Sequence, residues 1–317
     1  MNKVLVTGCA GFIGSHLTER LLQQGNMVIG LDAYLSNYDR SVKQANMARF
    51  IHHPHFQFDS SPLQAEHWQT WLDQVQVVYH LAALPGVRSS WGPAFAEYVE
   101  HNLIATQMLL EAARTRPVQK IVVASSSSVY GTMKEGMTSE DAPYAPLSPY
   151  GVTKMAMEQL CQVYVEAFQL PIVILRYFTV YGPRQRPDMA FHRFFQHLLH
   201  SEELVIHGDG RQTRDFTYVS DAVEANLLAA RHGKPGDVYN IGGNREISLL
   251  EVIEYMGELT GRKPAIRHAP AQPGDARRTA ADISLARNQL GYEPAVDLHE
   301  GLRRQWQEIQ ERSRGRS

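Results

Sequence analysis

Lys3-Val4-Leu5-Val6-Thr7-Gly8-Cys9-Ala10-Gly11-Phe12-Ile13-Gly14 is the stretch whose reading decides the fold. Lys3 to Thr7 is a short apolar run, the pattern of a strand buried on both faces. The glycine-rich turn after it allows a tight bend, close approach of a pyrophosphate and close helix-on-strand packing. Its spacing is G-x-x-G-x-x-G rather than G-x-G-x-x-G. Leu17, Leu21 and Leu22 then mark one side of an amphipathic helix. A second strand, Met27 to Leu31, ends at Asp32, about 20 residues on, where a carboxylate can hold a ribose 2′-hydroxyl. Strand, glycine turn, helix, strand and acid in that order point to a bound dinucleotide. Asp32 disfavours a 2′-phosphate, so NAD is expected over NADP.

Outward from that start, strands and helices alternate, which implies parallel pairing with right-handed crossovers. Ser36 to His55 is polar and basic, read as a helix plus loop near the cofactor mouth. Asp59, after Phe56-Gln57-Phe58, can bond adenine or close a loop turn. Val75 to Ala83 is a further strand, whose small end Leu81-Ala82-Ala83 lets a flat ligand approach the backbone. Leu84 to Gly92, with Arg88, forms a loop at the same edge, and a helix is expected from about Ala94 to Arg114. Lys120 to Ala124 is a strand that ends in the run Ser125 to Ser128. Pro171 to Phe178, with Tyr177 near its end against the cofactor, is the next.

Tyr150-Gly151-Val152-Thr153-Lys154 carries the chemistry. Four residues apart on a helix, Tyr150 and Lys154 share a face. A phenol titrates near 10, so a base at neutral pH must sit roughly three units lower, and a neighbouring ammonium favours the phenolate. With the Ser125–Ser128 hydroxyls at the crevice edge of an open α/β sheet, this set suits removal of a sugar hydroxyl proton while hydride leaves the same carbon.

After Gly182 the alternation fails. Arg184, Arg186 and Arg193 cluster around Pro183 and Pro187, a loose helix runs to His200, and Leu204 to His207 reads as a strand with a Gly208-Asp209-Gly210 turn. Arg211 and Arg214 precede Asp215. A helix N-capped at Ser220 runs to about His232, followed by a strand, Val238 to Ile241. From Ser248 come a helix, a strand at Ala265 to Arg267, a loop with Arg277 and Arg278, and a last helix, Leu298 to Glu311. The basic tail, Arg312 to Ser317, is expected to be disordered. The expected fold is α/β: a Rossmann-like doubly wound parallel sheet with a smaller mixed α/β substrate-binding domain. Residues 1–180 form the NAD-binding domain, which also receives about 216–242; residues 181–215 and 243–317 form the second. Arginines gathered there suit an anionic ligand such as a nucleotide diphosphate.

At 317 residues, 44% hydrophobic and 20% charged, the composition is that of a globular protein. A net charge of −2 argues against a general nucleic-acid or membrane-surface binder. Two cysteines, Cys9 and Cys161, are too few for a disulfide framework. A strand beginning at Lys3 leaves no signal peptide, and no apolar run reaches about 18 residues, so a cytoplasmic location is expected. His52, His53 and His55 lack the other ligands of a zinc site, and no metal is expected. His80 is expected to be packed, and Cys9 to serve as a small residue.

These motifs together resemble the extended short-chain dehydrogenase/reductase family, the NAD-dependent nucleotide-sugar epimerases and dehydratases. The anchors are Thr7-Gly8-x-x-Gly11-x-x-Gly14, His80-Leu81-Ala82-Ala83, the serine strand, Tyr150-x-x-x-Lys154, Tyr181-Gly182-Pro183-Arg184 and Arg214-Asp215-Phe216-x-Tyr218-Val219-x-Asp221. Within it, Pro85 to Trp91 and Arg184 to Phe191 look like the UDP-glucuronic acid 4-epimerases. The resemblance implies Ser126, Tyr150 and Lys154 as the catalytic set. Gly8, Gly11, Phe12, Ile13, Gly14, Asp32, Asp59, Leu81, Ala82, Ala83 and Tyr177 would bind NAD, with Tyr150 and Lys154 also touching it. Arg214 and Arg277 would hold the diphosphate.

The implied reaction is C4 epimerisation of a UDP-sugar, UDP-glucuronate to UDP-galacturonate first, through a 4-keto intermediate. UDP-glucose or its N-acetylamino analogue, a decarboxylase and a dehydratase are the alternatives. Ser127 and Ser128 stand where the dehydratases carry an Asp-Glu pair, and Thr179 where many relatives have Asn. Those three hydroxyls are candidates to grip a sugar carboxylate, with Arg88, Arg184 and Arg186 as candidates to pair either the sugar acid or the diphosphate. The helices around Leu103 to Ala113 and Met155 to Phe168 have more apolar face than one sheet needs; in the family the chain resembles such helices often pair across a dimer, so the resemblance implies a homodimer.

Overall fold

The computed structural model describes residues 1–64, 67–133 and 136–314. Twelve strands are found among them: β1 (Lys3–Thr7), β2 (Met27–Leu31), β3 (Phe56–Asp59), β4 (Val77–His80), β5 (Lys120–Ser126), β6 (Ile172–Tyr177), β7 (Thr179–Tyr181), β8 (Leu204–His207), β9 (Thr213–Tyr218), β10 (Val238–Ile241), β11 (Glu246–Ser248) and β12 (Ile266–Ala269). Seven make one sheet in the order β10-β6-β5-β4-β1-β2-β3, with every neighbouring pair parallel. The order reverses between β1 and β4, and in an open α/β sheet the ligand crevice lies outside the strand ends at that switch point.

The strands at the centre bury Leu5, Val78, Ile121, Val123, Ile172 and Ile174 on one face, and Val4, Val6, Tyr79, Val122, Val173 and Leu175 on the other. Burial on both faces is why these runs read as continuous apolar stretches rather than alternating ones. The helix Phe12–Gln23 buries Leu17, Leu21 and Leu22. Helix Val219–His232 and β10 join the large sheet, while β7, β9 and β11 form a second sheet and β8 with β12 a third.

Four local expectations are corrected. The single helix from about Ala94 is broken: Phe95–Val99 is α-helical, Glu100–Ile104 is one π turn, and Ala105–Thr115 is α-helical again. Ser220 is not a cap, since that helix begins at Val219 after Tyr218 and makes no side-chain cap bond. The strand at Val75 to Ala83 contracts to β4. The last helix runs on to Arg314, so Arg312 to Arg314 of the expected tail are helical, and the Arg312 Nη2 donates to Asn46 Oδ1 at 3.1 Å. Residues 315–317 of that tail lie outside the described residues.

Candidate active site

At the strand ends a cavity of about 360 Å³ runs from the glycine turn to the start of the helix Pro149–Phe168. Gly8, Gly11, Phe12, Ile13 and Gly14 form its floor. Gly8 has φ +75°, and a Cβ there would stand 2.9 Å from the Ala82 nitrogen. A Cβ on Gly14 would come within 2.0 Å of the Gly8 carbonyl oxygen. Gly11 caps the helix Phe12–Gln23 without a side-chain bond, and its first turn holds no acid. That leaves a positive helix end against the cavity, which suits a diphosphate.

Asp32 closes this end of the wall. Its carboxylate accepts from the Ala10 nitrogen (3.2 Å) and the Tyr34 nitrogen (2.9 Å), and lies 3.7 Å from the Lys43 Nζ. Asn37, Tyr38 and Lys43 also line it, and none was singled out in the sequence. Asp39 caps the helix Arg40–Met47, and counting that helix from its cap places Lys43, Asn46 and Met47 inward. Asp59 does not line the cavity. It accepts from the Trp71 Nε1 at 2.9 Å and the Ser61 nitrogen at 2.8 Å, so it closes a turn. Leu81, Ala82, Ala83 and Tyr177 line the middle.

Ser148 caps the helix Pro149–Phe168, accepting from the Gly151 nitrogen at 3.1 Å, with Pro149 at its first position. Tyr150 thus falls in the first turn, and its half-buried ring faces the cavity. Burial raises its phenol above the ordinary 10, opposed by a hydrogen bond with Ser126 and by the Arg186 cation. Lys154 is almost wholly buried and donates to the Ala124 carbonyl at 2.7 Å. Burial lowers its pKa to about 8 against the opposing carboxylate of Glu158. Arg186 is thus a cation that favours the phenolate, beside the Lys154 expected from the spacing. Ser126 Oγ donates to Ser128 Oγ and accepts from the Ser128 nitrogen, both at 3.1 Å.

Ser127, Ser128, Thr179 and Arg186 also line the wall. Asp188 fixes the Arg186 guanidinium by its Nε and Nη2, at 3.0 and 2.8 Å. Behind Tyr150 stands Tyr98, its ring edge-on at 6.2 Å, its hydroxyl 2.7 Å from Ser89 Oγ and 3.0 Å from the Pro85 and Gly86 carbonyls. It ties the Pro85–Ser89 loop to the Tyr150 ring. No periodicity distinguishes it from a core aromatic.

The other arginines stand outside the cavity wall. Arg184 has φ +62° and turns to Glu19 and Ser15 on the helix Phe12–Gln23, so the expectation that it touches substrate is corrected. Arg277 pairs with Asp209 at 2.6 Å, with its side chain more than half exposed. Arg88 pairs with Asp275 at 2.6 Å. Arg214 is half-buried near both Arg88 and Asp275 and donates to the Thr213 carbonyl at 2.8 Å.

His80 is packed: Nδ1 lies 2.9 Å from Thr7 Oγ1 and Nε2 3.0 Å from Thr106 Oγ1. Burial, aided by Lys154, lowers its pKa to about 3, so it stays neutral. Burial pushes the Cys9 thiol well up, which leaves it unreactive. No group of His, Cys, Asp and Glu among the described residues could hold a metal ion.

Residues 4–242 match the model of the NAD dependent epimerase/dehydratase family. The chain belongs to that family. Within it, the chain is 48% identical over 304 residues to an uncharacterised UDP-glucose epimerase of Bacillus subtilis, covering 95% of each chain. It is 36% identical over 308 residues to a UDP-glucuronate 4-epimerase of Thermodesulfobacterium geofontis, covering 96% of this chain and 95% of that one. The crystal structure of UDP-glucuronic acid 4-epimerase from Bacillus cereus with UDP-glucuronic acid and NAD superposes with a TM-score of 0.95, at 45% identity over 98% of this chain and 99% of that one. The glycine cradle, the open helix end and Asp32 fit the dinucleotide by which this epimerase/dehydratase family is named.

Proposed function

We propose that this protein interconverts UDP-glucuronate and UDP-galacturonate by oxidation and re-reduction at C4, with NAD retained through the cycle. One observation carries the reading. The sugar end of the cavity joins Tyr150, Ser126 and Lys154 to a cation, Arg186, and three neutral hydroxyls, Ser127, Ser128 and Thr179. Among the described residues that line the cavity, Asp32 is the one carboxylate, and it belongs to the cofactor end. An elimination that expels a C6 hydroxyl needs an acid at the sugar, which disfavours a dehydratase. A sugar carboxylate, by contrast, meets a guanidinium and hydrogen-bond donors.

When bound, NAD⁺ supplies the hydride acceptor and a positive charge beside the phenol. Tyr150 takes the C4 hydroxyl proton, and Ser126 holds that hydroxyl and the phenol in one hydrogen-bond chain. Lys154, fixed on Ala124, orients the cofactor ribose. After the ring turns over, the hydride would come back to C4 from the opposite face and Tyr150 returns the proton to the C4 oxygen, so protons and electrons balance. Arg186 and the hydroxyls keep the carboxylate bond out of line with the C4 carbonyl, which protects the β-keto acid from losing CO₂. Arg214 and Arg88 hold the diphosphate, and Arg277, drawn off Asp209, is placed to join them.

Other proposals go with this reading. Residues 1–180 and about 216–242 act as the NAD-binding unit, and 181–215 with 243–317 as the nucleotide-sugar unit. The working form is a homodimer, supported by exposed Ile104, Val163 and Phe168 on neighbouring helices. A reducing cytoplasm suits Cys9 and Cys161, both free and buried. No helix among the described residues is long and apolar enough to cross a membrane.

The test is a panel of UDP-sugars without added NAD, with Y150F as control. UDP-galacturonate formed from UDP-glucuronate without CO₂, and a rate in Y150F lower by about 10²–10⁴-fold, are expected. Turnover in Y150F near that of the unmutated protein would remove Tyr150 as base. The Bacillus subtilis relative favours a second reading, UDP-glucose as substrate, which the same panel decides.

A further inference from the structure

Glu158 lies one turn beyond Lys154 on the catalytic helix and has no exposed surface. It accepts from Arg176 Nε (3.0 and 3.1 Å) and Nη2 (2.7 Å), from the Tyr144 hydroxyl (2.9 Å) and from the Ser125 hydroxyl. Arg176, itself 3% exposed, spends Nη1 on the Tyr130 hydroxyl (2.6 Å) and the Glu140 carbonyl (3.0 Å). Tyr130 in turn donates to Asn240 at 2.8 Å. One carboxylate thus joins the catalytic helix to β5, β6 and, through Arg176, β10. An apolar pair of the same volume often stabilises a fold as well as a buried ion pair does. This one stands directly behind Ser125-Ser126 and Lys154.

We infer that Glu158 is a positioning residue for the reaction: it anchors the turn of the helix that carries Lys154 and holds the Ser125-Ser126 strand end in register with Tyr150. The inference rests on the proposed roles of Tyr150 and Lys154. The groups that face Lys154 are few. Glu158 and Cys161 come from its own helix, the neutral His80 from β4, and the Ala124 carbonyl from β5. Glu158, one turn away on the same helix, is the carboxylate that opposes the loss of the Lys154 proton, while burial favours it. Taking the carboxylate away therefore lowers the pH at which Lys154 becomes neutral.

The experiment is the pH profile of kcat in E158Q, E158D and the double variant E158Q/R176M, which leaves no charge unpaired, each checked for folding by circular dichroism. E158Q and the double variant are expected to move the alkaline limb down by about one pH unit. That costs several-fold in rate at pH 8 and little at pH 6. E158D keeps the charge and should leave the limb where it is in the unmutated protein. An unmoved limb in both charge-removing variants overturns the inference, as does an equal shift in E158D. If neither charge-removing variant folds, the pair is a folding element alone and the inference falls. Because Y150F tests the base directly, its loss of turnover with an unmoved E158Q limb would reject this role and spare the reading of the site.

Discussion

Burial lifts the Tyr150 phenol, and Ser126 and Arg186 pull it back. Removing the cation leaves the phenolate less favoured, so the pH above which it forms must rise. In R186Q the acid limb of kcat/KM is expected to move up by roughly one unit, while the alkaline limb set by Lys154 stays in place. An unmoved acid limb would show that Arg186 has no hold on the base. Arg184 and Arg186 also show what a sequence can and cannot tell at this scale. The Tyr150–Lys154 pair was legible because both lie on one helix, where spacing fixes direction. Two arginines in a loop carry no such rule. The left-handed φ at Arg184 turns it onto Glu19, and Arg186, two residues on, lines the cavity. Asp59, read as a possible adenine contact, was captured instead by the Trp71 indole, a partner twelve residues away.

Elements built from local signals were the most legible. The glycine turn, its strand and its helix follow from one short stretch, and the large sheet came from strand and helix alternation. The π turn at Glu100–Ile104 was not legible, because it exists to let the Asn102 amide reach Leu84 and Thr153. Its Nδ2 donates to both at 3.0 Å, and its Oδ1 accepts from the Leu84 nitrogen at 2.7 Å. Strands β7 and β11, three residues each, are defined only by pairing with β9. The glycine turn gives a sharper prediction. A methyl on Gly14 would overlap the Gly8 carbonyl, so helix and strand must separate at the pyrophosphate bed. G14A is expected to lose about 1–3 kcal/mol of stability to overpacking and to release less NAD when the purified protein is denatured and the supernatant assayed. Full NAD content in G14A would mean the turn relaxes without harm to the cradle.

For the whole molecule, the helix Pro149–Phe168 has one buried side and one left open. Lys154, Met157, Glu158 and Cys161 turn inward along it, while Val152 and Val163, eleven residues apart and so on one side, stay exposed. Val163 is 57% exposed and Phe168 44%, and Ile104 on the neighbouring helical stretch is 44% exposed. Large apolar groups left exposed on neighbouring helices mark an interaction site, and a second copy would present the same groups under two-fold symmetry. The helix that carries the base would then be braced from outside by its partner, just as Glu158 and Arg176 brace it from within. V163E should therefore sediment as a monomer where the unmutated protein sediments as a dimer. Its far-UV circular dichroism should be unchanged, and its melting temperature should lose the concentration dependence that association confers. If the unmutated protein sediments as a monomer, the outer face of this helix has some other use and the dimer proposal fails.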